Sequence, residues 1–366
     1  VLNSNTGAAR ASVDLESLKK AATAGLSGAT SAVTVDIPAV ATAKGYELQL
    51  PNGIIFADDK TSLVVHTEFG VLELPGSLLK QAAKEAGTPW VITITKVDSD
   101  SRPEFKLSVT INGKEAVWNS PDMRVKVSLP YIPRSEERGK EGHITIHSLN
   151  PLGILTVVPS GRYIAATGMV SFTGILSGTY SITFTEKTFR DIGKFEWARN
   201  AIEVLGSKGI INGMTEDQFV PQAEVKRGDF VLLLIKALGL EGVSAESFTD
   251  VQPGDYRYEA LAIAKQLGIA TGRPDGSFDL NASVTRQEMM TLAAKAIAAA
   301  DRQLPAGNGA SMTRFTDSQQ VSAFARDSVA ALIRAGLIKG DGLRIHPQGV
   351  TTRAEAAVLI YNLYNL

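Results

Sequence analysis

The sequence predicts a multidomain protein. Its first half is a β-rich α+β region of one or two small sandwich-like modules, and its second half is all-α, built from three copies of one unit. Three observations carry that prediction. The chain has 366 residues, and a domain takes roughly 100–200, so two or three compact units are expected. Runs rich in β-branched residues, with two helical interruptions, occupy residues 1 to 187, and helical 3-4 spacing takes over after Thr188. The pattern Phe-x-Asp opens three segments at Phe189, Phe248 and Phe315, each followed at an offset of 38 residues by Arg227, Arg286 or Arg353. The division read from this is 1–98, 99–187, and repeats at 188–246, 247–313 and 314–366.

The elements of the first half follow in order. Ser12 to Ala22 and Gly76 to Lys84 read as short helices. Ala32 to Ile37, Leu63 to Thr67, Phe105 to Ile111, Arg124 to Leu129, His143 to Ser148 and Tyr180 to Phe184 read as strands by their β-branched content. Asn112-Gly113 is a hairpin turn, since both positions tolerate positive φ. The two modules are expected to meet near Val97 to Pro103. Asp58-Asp59-Lys60 and Glu136-Glu137-Arg138 read as solvated surface turns.

In the second half each copy reads as helix, turn, short extended piece, helix. Trp197, Ala198, Ala201, Ile202 and Leu205 form one apolar face of a first helix, and Gly209 stops it. Large apolar residues recur 30 positions after each Phe, at Phe219, Phe278 and Ile345. Glycine pairs recur at Gly209/Gly213, Gly268/Gly272 and Gly336/Gly340. The second helix of copy one carries Phe230, Leu233, Leu234, Ala237 and Leu238 on one face. Two short amphipathic helices cannot bury both faces alone, so the three copies should share one core. Leu304 to Ala310 is a loop that lengthens the spacing before copy three.

The second helices of copies two and three open Thr285-Arg286-Gln287-Glu288 and Thr352-Arg353-Ala354-Glu355, which fit a capping box. The box accounts for threonine and glutamate. It does not account for arginine, because a cation in a first turn opposes the helix dipole. Two readings stay open for Arg227, Arg286 and Arg353: an ion pair to a Phe-x-Asp carboxylate, or an anion site where guanidinium and helix start converge. Asp191, Asp250 and Asp317 are short acceptors placed for local turns or caps. Gly213, Gly272 and Gly340 are turn formers that also allow close backbone approach.

Composition narrows the function. Lys plus Arg is 37 and Asp plus Glu is 38. That balance argues against a nucleic-acid partner. With no cysteine, thiol chemistry and cysteine-ligated zinc are excluded. The longest apolar runs, such as Phe230 to Ile235, fall far short of a membrane span. Val1-Leu2-Asn3 is no natural start, so a piece of a longer precursor is expected. His143 and His147 would point the same way along a strand but lack a carboxylate-rich partner. No nucleophile elbow or Walker loop occurs, so no catalytic residue, metal or cofactor is expected.

The repeats resemble the S-layer homology family, the triplicated anchoring domains of bacterial surface proteins. The resemblance rests on the Phe-x-Asp openings, the glycine pairs, Gly-x-Pro-Asp-Gly-x-Phe at Gly272 to Phe278, and Thr-Arg-Ala-Glu at Thr352 to Glu355. It implies a pseudo-threefold, spindle-like helical assembly with grooves between copies. Those grooves would hold secondary cell wall polysaccharide through a pyruvate-ketal-bearing N-acetylmannosamine unit. Arg227, Arg286 and Arg353 would face the ketal carboxylate, with Asp191, Asp250, Asp317, Gly213, Gly272 and Gly340 in the same ligand-binding set. It further implies a secreted protein at the cell wall and S-layer surface, with a non-catalytic anchoring role. Lattice self-association and a glycan-active enzyme in residues 1–187 are the alternatives.

Copy one departs from the pattern, with Lys226 in place of the capping threonine and Asp229 in place of the glutamate. Copy three lacks the Pro-Asp-Gly turn and reads Gly340-Asp341-Gly342-Leu343-Arg344-Ile345. The first half is similar, more weakly, to β-rich modules that precede such triplets in Bacillus- and Paenibacillus-like exoproteins. The pieces that carry this are Val71 to Pro75, Val127 to Tyr131, and Pro159 to Tyr163 through Phe172. It implies a spacer or scaffold.

Overall fold

The computed structural model describes residues 2–24, 32–51, 61–85, 90–97, 102–116, 124–150, 152–242, 246–306 and 311–366. The Asp58-Asp59-Lys60 turn and the 307–310 part of the expected loop lie outside them. The chain divides into two units, Val1–Thr185 and Glu186–Leu366.

The first unit contains β1 (Ala9–Ser12), α1 (Leu15–Ala24), β2 (Ala32–Asp36), β3 (Gly45–Leu50), β4 (Ser62–Thr67), β5 (Gly70–Pro75), α2 (Gly76–Glu85) and β6 (Trp90–Val97). It continues with β7 (Glu104–Ile111), β8 (Lys114–Ala116), β9 (Arg124–Pro130), β10 (Ile144–Leu149), β11 (Leu155–Val158), β12 (Arg162–Ile164), β13 (Met169–Ile175) and β14 (Gly178–Phe184). One sheet runs β1-β3-β6-β7-β14-β10-β11, with β8 on β7, and the other runs β12-β13-β9-β5-β4-β2. Burial alternates along β5 and β6, so each presents one face to the core.

Two separate modules meeting near Val97 are not what these strands build. β6 pairs antiparallel with β7 across that point, Val97 opposite Glu104. β5 pairs with β9 in the second sheet, as β6 does with β7 in the first, so both sheets draw on both sides of residue 98. Leu48, Leu72, Trp90, Val127, Ile146 and Phe172 therefore fall in one continuous core. The Asn112-Gly113 hairpin forms as its chemistry requires, with φ of 55° and 73°. Glu137 corrects the surface-turn expectation. It is buried and accepts the Tyr131 hydroxyl at 2.7 Å and the Arg134 amide at 2.9 Å. The shared histidine face is also corrected. His143 closes a single 3-10 turn ahead of β10, while His147 lies within the strand with Nδ1 2.8 Å from Thr183 Oγ1.

The second unit is helical: α3 (Glu196–Ser207), α4 (Arg227–Leu238), α5 (Tyr258–Gln266), α6 (Arg286–Ala299), α7 (Arg326–Arg334) and α8 (Arg353–Tyr364). Gly209 ends α3 with φ of 63°. Trp197 departs from its expected inward face and is 59% exposed. The second helix of each copy packs on the first helix of the next: α4 on α5, α6 on α7, and α8 back on α3. Residues of all three copies make one core. At its centre, the segments that enter the second helices are joined by backbone bonds. Val284 N donates to Val225 O at 3.0 Å, Val225 N to Thr351 O at 3.0 Å, and Thr351 N to Val284 O at 2.9 Å.

Candidate functional site

The three arginines stand at the first position of α4, α6 and α8. Each reaches into the next copy and donates Nε to the carbonyl of the residue 30 after the opening Phe. Arg227 reaches Phe278 O at 3.3 Å, Arg286 reaches Ile345 O at 2.8 Å, and Arg353 returns to Phe219 O at 2.8 Å. Two guanidinium groups also lie over the ring of that residue, Arg227 at 4.7 Å from Phe278 and Arg353 at 4.3 Å from Phe219. Ile345 offers Arg286 no ring.

The carboxylate partners of these arginines are glutamates, not the Phe-x-Asp aspartates. Arg227 Nη1 donates to Glu288 Oε1 at 2.8 Å, and Arg286 Nη1 to Glu355 Oε1 at 2.7 Å. The other oxygen of each glutamate caps its own helix: Thr285 N and Thr352 N each donate to Oε2 at 2.9 Å. One side chain thus closes a helix start and staples the preceding copy. Sequence reasoning found the cap and missed the staple, because only the closed assembly brings the previous copy's arginine to it.

The aspartates hold backbone instead. Asp191 accepts the amides of Phe219 and Val220 at 2.9 and 2.7 Å. Asp250 accepts Phe278 and Asp279, both at 2.8 Å, and Asp317 accepts Ile345 and His346 at 2.9 and 2.8 Å. Burial would raise the Asp191 and Asp250 carboxyls, but these amides outweigh it and hold both below the usual carboxylate range. The glycines are sterically required. A Cβ on Gly213 would stand 2.2 Å from Thr215 O, and one on Gly340 would stand 2.3 Å from Arg344 O. Gly272 turns with φ of 72° against Phe248.

Arg353 differs from the other two arginines. Its second donor meets a backbone carbonyl, Asn212 O at 2.6 Å, and no carboxylate lies at ion-pair distance among the described residues. Burial pulls its pKa below the ordinary arginine value, with Asp229 and Asp191 opposing from a distance; a guanidinium so shifted is still a cation at neutral pH. It lines a cavity of about 310 Å³ with Ile211, Gly213, Lys226, Asp229 and Tyr256. Arg286 lines a cavity of about 690 Å³ with Trp197, Lys339, Gly340, His346 and Glu355. Trp197 and Tyr256 sit at one offset from Phe189 and Phe248, and both are largely exposed. That shared offset was a signal the sequence reading passed over.

Comparison with known proteins identifies this arrangement. The S-layer homology domain family matches residues 188–231, 247–290 and 314–357. The second unit is a triplet of S-layer homology domains. An amylopullulanase of Thermoanaerobacterium thermosulfurigenes is 34% identical over 257 residues, 69% of this chain and 13% of that protein. That stretch is longer than the triplet unit, so the similarity continues into the β-rich half. An exoglucanase of Acetivibrio thermocellus is 38% identical over 48% of this chain and 16% of its own length. An S-layer protein of Bacillus anthracis is 27% identical over 48% of this chain and 21% of its own. The chain thus spans a fifth or less of the length of these relatives, to within a percentage point. The S-layer homology triplet marks a secreted cell-surface protein anchored to the cell wall.

Proposed function

We propose that the S-layer homology triplet is a non-catalytic anchor that binds secondary cell wall polysaccharide in the grooves between copies, around a pseudo-threefold axis. The ligand unit is N-acetylmannosamine carrying a pyruvate ketal, whose carboxylate faces an arginine. The observation that carries this reading is the Arg353 guanidinium, set in a cavity wall beside Lys226 with no carboxylate partner among the described residues. Arg227 and Arg286 already hold Glu288 and Glu355, so the Arg353 groove is the proposed primary site. Gly213, next to the Asn212 carbonyl that holds the arginine, makes a turn whose close packing on Thr215 O leaves no room for a side chain. The β-rich half acts as a spacer with no catalysis of its own.

Isothermal titration with a pyruvate-ketal-bearing N-acetylmannosamine glycoside tests the reading. A charge-assisted bond is worth about 1.5–3 kcal/mol, so Arg353→Ala should weaken binding about tenfold or more. Removing the ketal carboxylate should cost about the same, and the two losses should not add. A folded Arg353→Ala chain with wild-type affinity ends this assignment.

A further inference from the structure

The groove at Arg353 is open because a carboxylate that belongs there is held elsewhere. Forty residues after the opening Phe, copies two and three carry Glu288 and Glu355, and each takes the arginine of the preceding copy. The corresponding position in copy one is Asp229, which lines the same cavity as Arg353 without pairing with it. A side chain shorter by one methylene is part of the reason. The rest comes from copy two. The Tyr256 hydroxyl donates to Asp229 Oδ1, and Arg257 Nη1 lies 3.4 Å from the same oxygen.

Arg257 is itself fixed. It is 7% exposed, with Nε 2.9 Å from Asp255 Oδ1, Nη2 2.7 Å from Asp255 Oδ2, and Nη1 3.2 Å from Asn281 Oδ1. Burial and then the Asp229 bond push the Tyr256 hydroxyl up to about 12, so it remains a donor at neutral pH. The positions matching Tyr256 and Arg257 are Trp197 and Ala198 in copy one, and Ala323 and Phe324 in copy three. None of those four side chains donates to a carboxylate this way: the donor pair occurs at the one junction where glutamate is replaced by aspartate.

We infer that Tyr256 and Arg257 hold the Asp229 carboxylate away from Arg353, and so keep this groove's guanidinium available to an anionic sugar. They are positioning residues. The inference rests on the anchoring reading for its ligand, and on geometry alone for the clamp.

Two measurements on the whole chain test it. In a crystal structure of the ligand-free Tyr256→Phe/Arg257→Ala variant, the Asp229 carboxylate should move to ion-pair distance from Arg353; an unmoved Asp229 overturns the clamp. In titration with the pyruvate-ketal-bearing N-acetylmannosamine glycoside, the same variant should bind about tenfold more weakly, and adding Asp229→Asn should restore affinity to within about threefold. Loss that persists after Asp229→Asn overturns the inference, because a merely structural role would not be rescued there. Should the buried Arg257 prove necessary for folding, Tyr256→Phe alone, at an exposed ring, should lose about threefold with the same rescue, and its crystal structure should show Asp229 shifted toward Arg353. A wild-type chain that ignores the glycoside refutes the anchoring reading, while the crystal structures still decide the clamp.

Discussion

The Arg286 and Arg353 junctions use the same residue at the same offset for different ends. At the first, the guanidinium is clasped by Glu355 and the Ile345 carbonyl, and its side chain is 13% exposed. At the second, the carboxylate position is filled by a shorter residue already bound to Tyr256, and the guanidinium faces a cavity with carbonyls as its partners. A repeat can therefore keep its scaffold and leave one guanidinium without a carboxylate partner by changing a single carboxylate and its restraint. The charge is preserved; what changes is which partner completes it.

The largest test of that contrast is stability. Arg286→Ala removes a charge-assisted bond and leaves the buried Ile345 carbonyl short of a donor, so a cost of about 3 kcal/mol is expected. Arg353→Ala strips the Phe219 and Asn212 carbonyls of a donor but leaves no carboxylate behind, so it should cost less, about 2 kcal/mol. Urea unfolding of both variants measures this, and equal costs would break the comparison.

Next is Asp250→Asn, which swaps an acceptor of three backbone amides for a group that also donates; about 2 kcal/mol should be lost at neutral pH. The sign of the pH dependence follows from the depressed carboxyls of Asp191 and Asp250. Their contribution is complete above the unfolded value near about 4 and is lost as pH falls through their lower folded values. Melting temperature of the triplet should drop on acidification below pH ~4, and the Asp250→Asn drop should be shallower.

The smallest effect is a gain. Thr351 is fully buried, and its hydroxyl has no hydrogen-bond partner among the described residues, where the matching residues are Val225 and Val284. Thr351→Val should stabilise by about 1 kcal/mol, read from the shift in urea midpoint; a loss would mean that the hydroxyl has a role the valines do not share.

The triplet was legible because its repeat is long and chemically specific: a Phe, an Asp and an Arg at fixed offsets are each used in every copy. The capping boxes at Thr285 and Thr352 were legible for the same reason, being local. The partner of each arginine was not, since Arg227 and Glu288 lie far apart in sequence and meet only on assembly. In the first half, β4, β7, β9 and β14 show in their own residues, but their neighbours do not. β5 pairs with β9 between segments far apart in sequence, Val71 opposite Ser128, and no local pattern encodes that partner. β3 escaped notice because Gly45 to Leu50 contains no β-branched residue, the signal by which the other strands show, although Tyr46, Leu48 and Leu50 alternate with Glu47 and Gln49.

The three backbone bonds among Val225, Val284 and Thr351 have an arithmetical consequence. Each segment gives one amide and takes one through its carbonyl, so the set is saturated at three. Stacked-repeat proteins of the open kind end in unsatisfied faces and can lengthen by one unit at a time. Here a fourth unit would arrive to find each of these three amides already given within the ring, so the count of copies is written into the centre itself.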